Sequence, residues 1–91
     1  MPQIIQTEDF INDLQPINAY LKLHYPSRLK RFTTTLKKKI LALNIYPQLY
    51  QMVHKIRYFV VLDYVVLYEF DKKTDVIILL NIWHGSRVIK K

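Results

Sequence analysis

Residues 55–87 read KIRYFVVLDYVVLYEFDKKTDVIILLNIWHGSR, and the fold follows from how this stretch is parsed. Two runs rich in Val, Ile, Tyr and Phe meet at Asp63, and a third follows the polar DKKTD, a pattern that predicts a three-strand antiparallel meander. Ile56, Tyr58, Val60 and Leu62 alternate with Arg57, Phe59 and Val61, and Tyr64, Val66, Tyr68 and Phe70 alternate with Val65, Leu67 and Glu69. Both faces are therefore largely apolar. One is expected to take helices, and the other, around Tyr58 and Phe59, is too apolar to be left wholly to water, which suggests a partner-binding surface. The third run, Val76 to Trp83, is apolar except at Asn81. It ends on His84, Ser86 and Arg87 around Gly85, the only glycine in the chain, which is read as the turn that sets His84 and Arg87 at the rim of the sheet.

Working back from the meander, Leu29, Phe32, Leu36, Ile40 and Leu43 form the apolar stripe of a helix that starts at Pro26 or Ser27 and stops near Asn44 and Pro47. Before it, Phe10, Leu14, Ile17 and Leu21 mark another helix, with Thr7 as cap and Glu8 and Asp9 at the positive end of its dipole. Pro16 projects from the polar side, so a kink is expected there rather than a break. The short Tyr25-Pro26 link predicts a helical hairpin lying on one face of the sheet. Ile4 and Ile5 read as an added edge strand, and Pro47 to His54 as a loop anchored to the core through Leu49, Tyr50, Met52 and Val53, with at most a helical turn. The expected fold is thus α+β, one domain over residues 1–91, with an N-terminal helical hairpin on a mostly antiparallel sheet.

The chain has 91 residues, is half apolar and carries a formal net charge of +7, which points to a globular and strongly basic protein. No acidic residue lies between Asp13 and Asp63, while Lys22, Arg28, Lys30, Arg31, Lys37, Lys38, Lys39, Lys55 and Arg57 do. Such a field attracts polyanions, either nucleic acid or an acidic protein segment. The alternative is a solvated helix face that serves solubility alone. The absence of cysteine excludes disulfides and thiol chemistry, and His24, His54 and His84 lack metal-ligand spacing, so neither a metal nor a cofactor is expected. No apolar run is long enough to span a membrane and no signal-peptide layout is present, so the expected compartment is the cytoplasm.

The order of these pieces resembles the RelE/ParE superfamily of bacterial type II toxins over almost the whole chain. The residues that carry the likeness are the YP at the second helix, then RYFVV, YVVLYEFD and VIILLNIWHGSR, whose Ile82-Trp83-His84-Gly85-Ser86-Arg87 is similar to an I-x-H-G-x-R ending common in the ParE branch. The resemblance implies a growth-inhibiting toxin held inactive by an antitoxin with an acidic, partly disordered C-terminal segment. RelE-like members cleave messenger RNA on the ribosome, whereas ParE-like members inhibit DNA gyrase. RelE-like members are similar to this chain but carry a basic residue after the tyrosine that opens the middle strand. Here Val65 follows Tyr64, which favours the ParE-like reading.

A ribonuclease would need a base for the 2′-hydroxyl, an acid for the leaving oxygen and cations for the phosphate. His84, Tyr68, Arg57 and Arg87 are the candidates, on the expectation that strand pairing sets Arg57 beside Tyr68 and that the third strand delivers His84 to the same rim. Each has a structural alternative: a core aromatic for Tyr68, a pair with Glu69 for Arg57, a backbone hydrogen bond for His84. Antitoxin or polyanion binding is expected of Arg28, Lys30, Arg31, Lys37, Lys38, Lys39, Arg57 and Arg87. A different class, a non-toxic basic adaptor for RNA or an acidic protein, fits the same lysine-rich helix.

Overall fold

A computed structural model describes residues 2–49, 52, 53 and 55–88, the side chains of residues 53, 87 and 88 excepted. The chain opens with strand β1 (Gln3–Gln6), followed by helices α1 (Glu8–His24) and α2 (Pro26–Ala42). Strands β2 (Met52–Val53), β3 (Ile56–Val61), β4 (Tyr64–Asp71) and β5 (Val76–His84) follow, and a short helix α3 (Gly85–Val88) comes last. The sheet order is β1-β5-β4-β3-β2. β1 runs parallel to β5, and the remaining neighbours are antiparallel. The expected α+β arrangement is present, with four principal strands and the two-residue β2 as an addition.

Local chemistry accounts for each boundary. Thr7 accepts the Phe10 amide on its Oγ1 at 3.1 Å, capping α1, and the same hydroxyl donates to the Leu79 carbonyl at 2.8 Å. One side chain thus starts the helix and ties it to the sheet. Pro16 sits within α1 on its exposed side, and the helix continues through it. Pro26 opens α2 directly after Tyr25, where its missing amide costs nothing.

Both helices turn their stripes to one face of the sheet. Phe10 and Leu21 of α1 and Phe32 and Leu36 of α2 are buried there against Phe59, Val61, Val66, Tyr68, Ile77, Leu79 and Ile82. Ile4, Leu14, Ile17, Leu29 and Ile40 pack around them. The opposite face carries Tyr58, Val60, Leu67 and Trp83. Phe59, expected beside Tyr58 on the outer face, belongs to the core instead, because alternation sends neighbouring residues to opposite sides. Val65 pairs with Trp83 and is buried on the outer side outside the main core cluster.

β5 carries a bulge. Its partners on β4 step from Asn81 opposite Leu67 to Leu79 opposite Tyr68, leaving Leu80 as the extra residue. The Asp13 carboxylate of α1 accepts from Asn81 Nδ2 at 3.0 Å and from the Ile82 amide at 3.3 Å, so the polar residue within the apolar run fastens the helix at this irregularity.

The segment before β3 departs from expectation. Leu49 and Met52 are more than half exposed, so they do not anchor a loop to the core, and Met52–Val53 pairs with Ile56 and Arg57 as a strand instead of a helical turn. Tyr50, Gln51 and His54 lie outside the described residues. The loop is held by polar bonds: Tyr68 Oη donates to the Pro47 carbonyl at 3.2 Å and Arg57 Nη1 to the Gln48 carbonyl at 3.4 Å. Past β2, Lys39 Nζ of α2 donates to the Val60 carbonyl at the outer edge of β3.

Candidate functional site

The two-residue turn Leu62-Asp63 joins β3 to β4, and Leu62 adopts a φ of 55°, a conformation that such a turn demands and that glycine usually supplies. The end of β5 lies beside this turn. Gly85 donates its amide to the Asp63 carbonyl at 2.7 Å, and a Cβ on Gly85 would meet that same oxygen at 3.2 Å. Its φ is negative, so the glycine is needed for close approach rather than for an unusual backbone conformation.

That contact fixes His84 at the start of β4, opposite Tyr64, with ring centroids 5.5 Å apart and planes nearly perpendicular. The Ser86 amide donates to His84 Nδ1 at 3.2 Å, and the Ser86 hydroxyl lies 2.8 Å from the same nitrogen. Nδ1 is therefore an acceptor and the neutral ring carries its proton on Nε2. Burial raises the Tyr64 hydroxyl pKa above its ordinary value, and the nearby Tyr20 and Asp63 add to this while Arg28 opposes it. Tyr64 also packs edge-on against Phe32 at 5.4 Å, which holds the ring in place.

The junction of α1 and α2 closes the other side. Arg28 Nη2 reaches Asp63 Oδ2 at 2.7 Å across the mouth of a cleft of about 270 Å³ lined by Tyr20, Leu21, Tyr25, Arg28, Leu62, Asp63, Tyr64 and His84. Tyr20 stands edge-on to His24 at 4.9 Å and to Tyr25 at 6.0 Å. Of these, only Arg28 and His84 are among the candidate site residues that the sequence singles out. The available signal was the cluster of aromatic residues Tyr20, His24 and Tyr25 at the C-terminal end of α1 and its cap.

Among the described candidate catalytic residues, Arg57 and Tyr68 are brought together and His84 is set apart from them. Arg57 does pair with Tyr68, as the register arithmetic required. His84 pairs with Tyr64, four residues and about 13 Å along the strand from Tyr68. β5 runs antiparallel to β4, so its end must lie beside the beginning of β4 and not beside its middle. Tyr68 is also fully buried, with its hydroxyl on the Pro47 carbonyl. The backbone of Arg87 belongs to α3 beside His84, and its side chain lies outside the described part.

The cations of α2 are split by position. Arg28, Lys30, Arg31, Lys37 and Lys38 are exposed, whereas Lys39 is half-buried and turned to the β3 edge. Between α1 and α2 runs a second hollow of about 170 Å³, floored by Phe10, Leu14, Phe32, Leu36 and Ile40 with Lys37 at its margin. No described helix is long and apolar enough to cross a membrane.

No curated protein matches the chain. A family model described as ParE toxin of type II toxin-antitoxin system, parDE, matches residues 4–89.

Proposed function

Because the chain belongs to the ParE toxin family of type II toxin–antitoxin systems, we propose that it arrests growth by inhibiting DNA gyrase in the cytoplasm and is neutralised by a cognate antitoxin. The observation that carries the choice of target is the separation of His84 from Tyr68 along β4, since RNA cleavage needs its proton donor and acceptor within reach of one phosphate. With Tyr68 buried and the RelE-type basic residue replaced by Val65, a binding mode of inhibition is the better-supported reading.

The antitoxin surface follows from charge and shape. An acidic segment that folds on binding would lay its apolar residues along the hollow between α1 and α2 and its carboxylates against Arg31, Lys37 and Lys38. Arg87, next to the turn that holds Gly85, is the cation proposed to meet the target.

Inducing the chain without its antitoxin tests these assignments together. Growth arrest with gyrase-dependent DNA breaks and no codon-phased messenger cleavage is the expected result. Arg87→Ala should relieve arrest more than charge reversal at Lys37, Lys38 and Lys39, and the opposite order would favour a basic adaptor. Messenger cleavage lost on His84→Ala would replace gyrase inhibition with ribonuclease activity, and unaffected growth would remove toxicity altogether.

A further inference from the structure

The cleft at the junction of α1 and α2 sets exposed aromatic rings beside an ion pair. Tyr20 and Tyr25 are 45% and 48% exposed, so both rings offer aromatic surface to a ligand in the cleft. Arg28 and Asp63 form an ion pair at its mouth whose side chains are 49% and 58% exposed. Such a pair is weak in water and exchanges readily for other hydrogen-bond partners.

A guanidinium next to a carboxylate offers donors beside an acceptor. The complementary ligand has an acceptor beside a donor on one flat edge, as adenine has at N7 and N6. Guanine offers the same alternation at O6 and N1. Aromatic side chains supply the stacking surface that such a ring requires, and the volume of about 270 Å³ admits one ring system but not a helix. Arg31 lies one helical turn past Arg28 on the exposed face of α2, a helix without any acidic residue, where it can meet a phosphate.

We propose that this cleft is a nucleotide site that stacks a purine base on the exposed rings of Tyr20 and Tyr25, reads its polar edge with Arg28 and Asp63, and receives its phosphate at Arg31. The purine is either a free nucleotide or an unstacked base of a single strand, the chemistry being common to both. The site is independent of gyrase inhibition, and its failure would leave growth arrest in place.

Titration of the purified chain with AMP and with GMP, followed by proton NMR of the tyrosine and histidine rings and by the Gly85 and Ser86 amides, tests the site. Saturable shifts at these positions are expected, with ribose 5-phosphate binding at least about tenfold more weakly because it lacks the ring. Tyr20→Ala should weaken binding by about five- to a hundredfold. Tyr20→Leu, which keeps apolar bulk without a ring, should do the same. Arg28→Ala should weaken binding too, and so should Asp63→Ala, which removes the acceptor. Short adenine-rich RNA and DNA strands distinguish the source: binding by strands alone identifies an unstacked base, and equal binding by AMP identifies a free nucleotide. Equal binding of ribose 5-phosphate, full affinity in both Tyr20 variants, or no saturable shift with any of these probes would overturn the proposal.

Discussion

Tyr68 illustrates how one side chain can satisfy a catalytic pattern and still be structural. It pairs with Arg57 across β3 and β4, but its ring is wholly inside the core and its hydroxyl donates to the Pro47 carbonyl. Removing that hydroxyl deletes its hydrogen bond to the Pro47 carbonyl. Tyr68→Phe is therefore expected to lower stability by about 1 kcal/mol while leaving growth arrest intact. Tyr68→Ala should cost about 3–5 kcal/mol through the cavity it leaves. Urea titration of both variants beside a growth assay checks the assignment, and loss of arrest in a folded Tyr68→Phe protein would return the residue to the chemistry.

The β4–β5 connection shows the same economy in a turn. The Asp71 carboxylate accepts the Lys73 amide at 2.9 Å, and this bond, with the Thr74 side chain next in importance, holds its pKa below the ordinary aspartate value. A depressed folded pKa gives stability that is present above the unfolded value and disappears as pH falls through the folded one. Asp71→Ala should accordingly be less stable than the parent at neutral pH, and the two should converge in acid below the usual carboxylate range. Thermal melts at several pH values read this directly, and a gap that persists in acid would mean that the bond to Lys73 is not the cause. Strands and helices were readable because their apolar residues recur at the period of each element: Phe10 to Leu21 at helical spacing, Ile56 to Val61 by alternation. The pairing of Arg57 with Tyr68 followed from counting outward from a tight turn at Asp63. The placement of His84 failed for a topological reason, since the close of a third antiparallel strand returns to the opening of the second. The bulge at Leu80, the left-handed Leu62 and the cleft between Tyr20 and Tyr64 depend on contacts between distant segments, and no local periodicity announces them.

Charge is distributed across the molecule in a way that separates finding a partner from holding it. The exposed cations of α2 project a positive field, whereas the apolar hollow beside them is the part able to bury a partner's side chains. Raising ionic strength from about 0.05 to about 0.5 M should slow antitoxin association by roughly tenfold or more and change dissociation little. Surface plasmon resonance with the purified antitoxin measures both rates. Dissociation that accelerates in parallel would instead place these lysines and arginines inside the contact as buried pairs.

β5 lies between β1 and β4, so β1 has no neighbour in the sheet until β5 is complete. A nascent chain stalled before Val76 holds both helices with only part of their platform. A premature stop codon upstream of that strand is therefore expected to yield a fragment that neither folds nor arrests growth, since the helices lose the central strand that they cover.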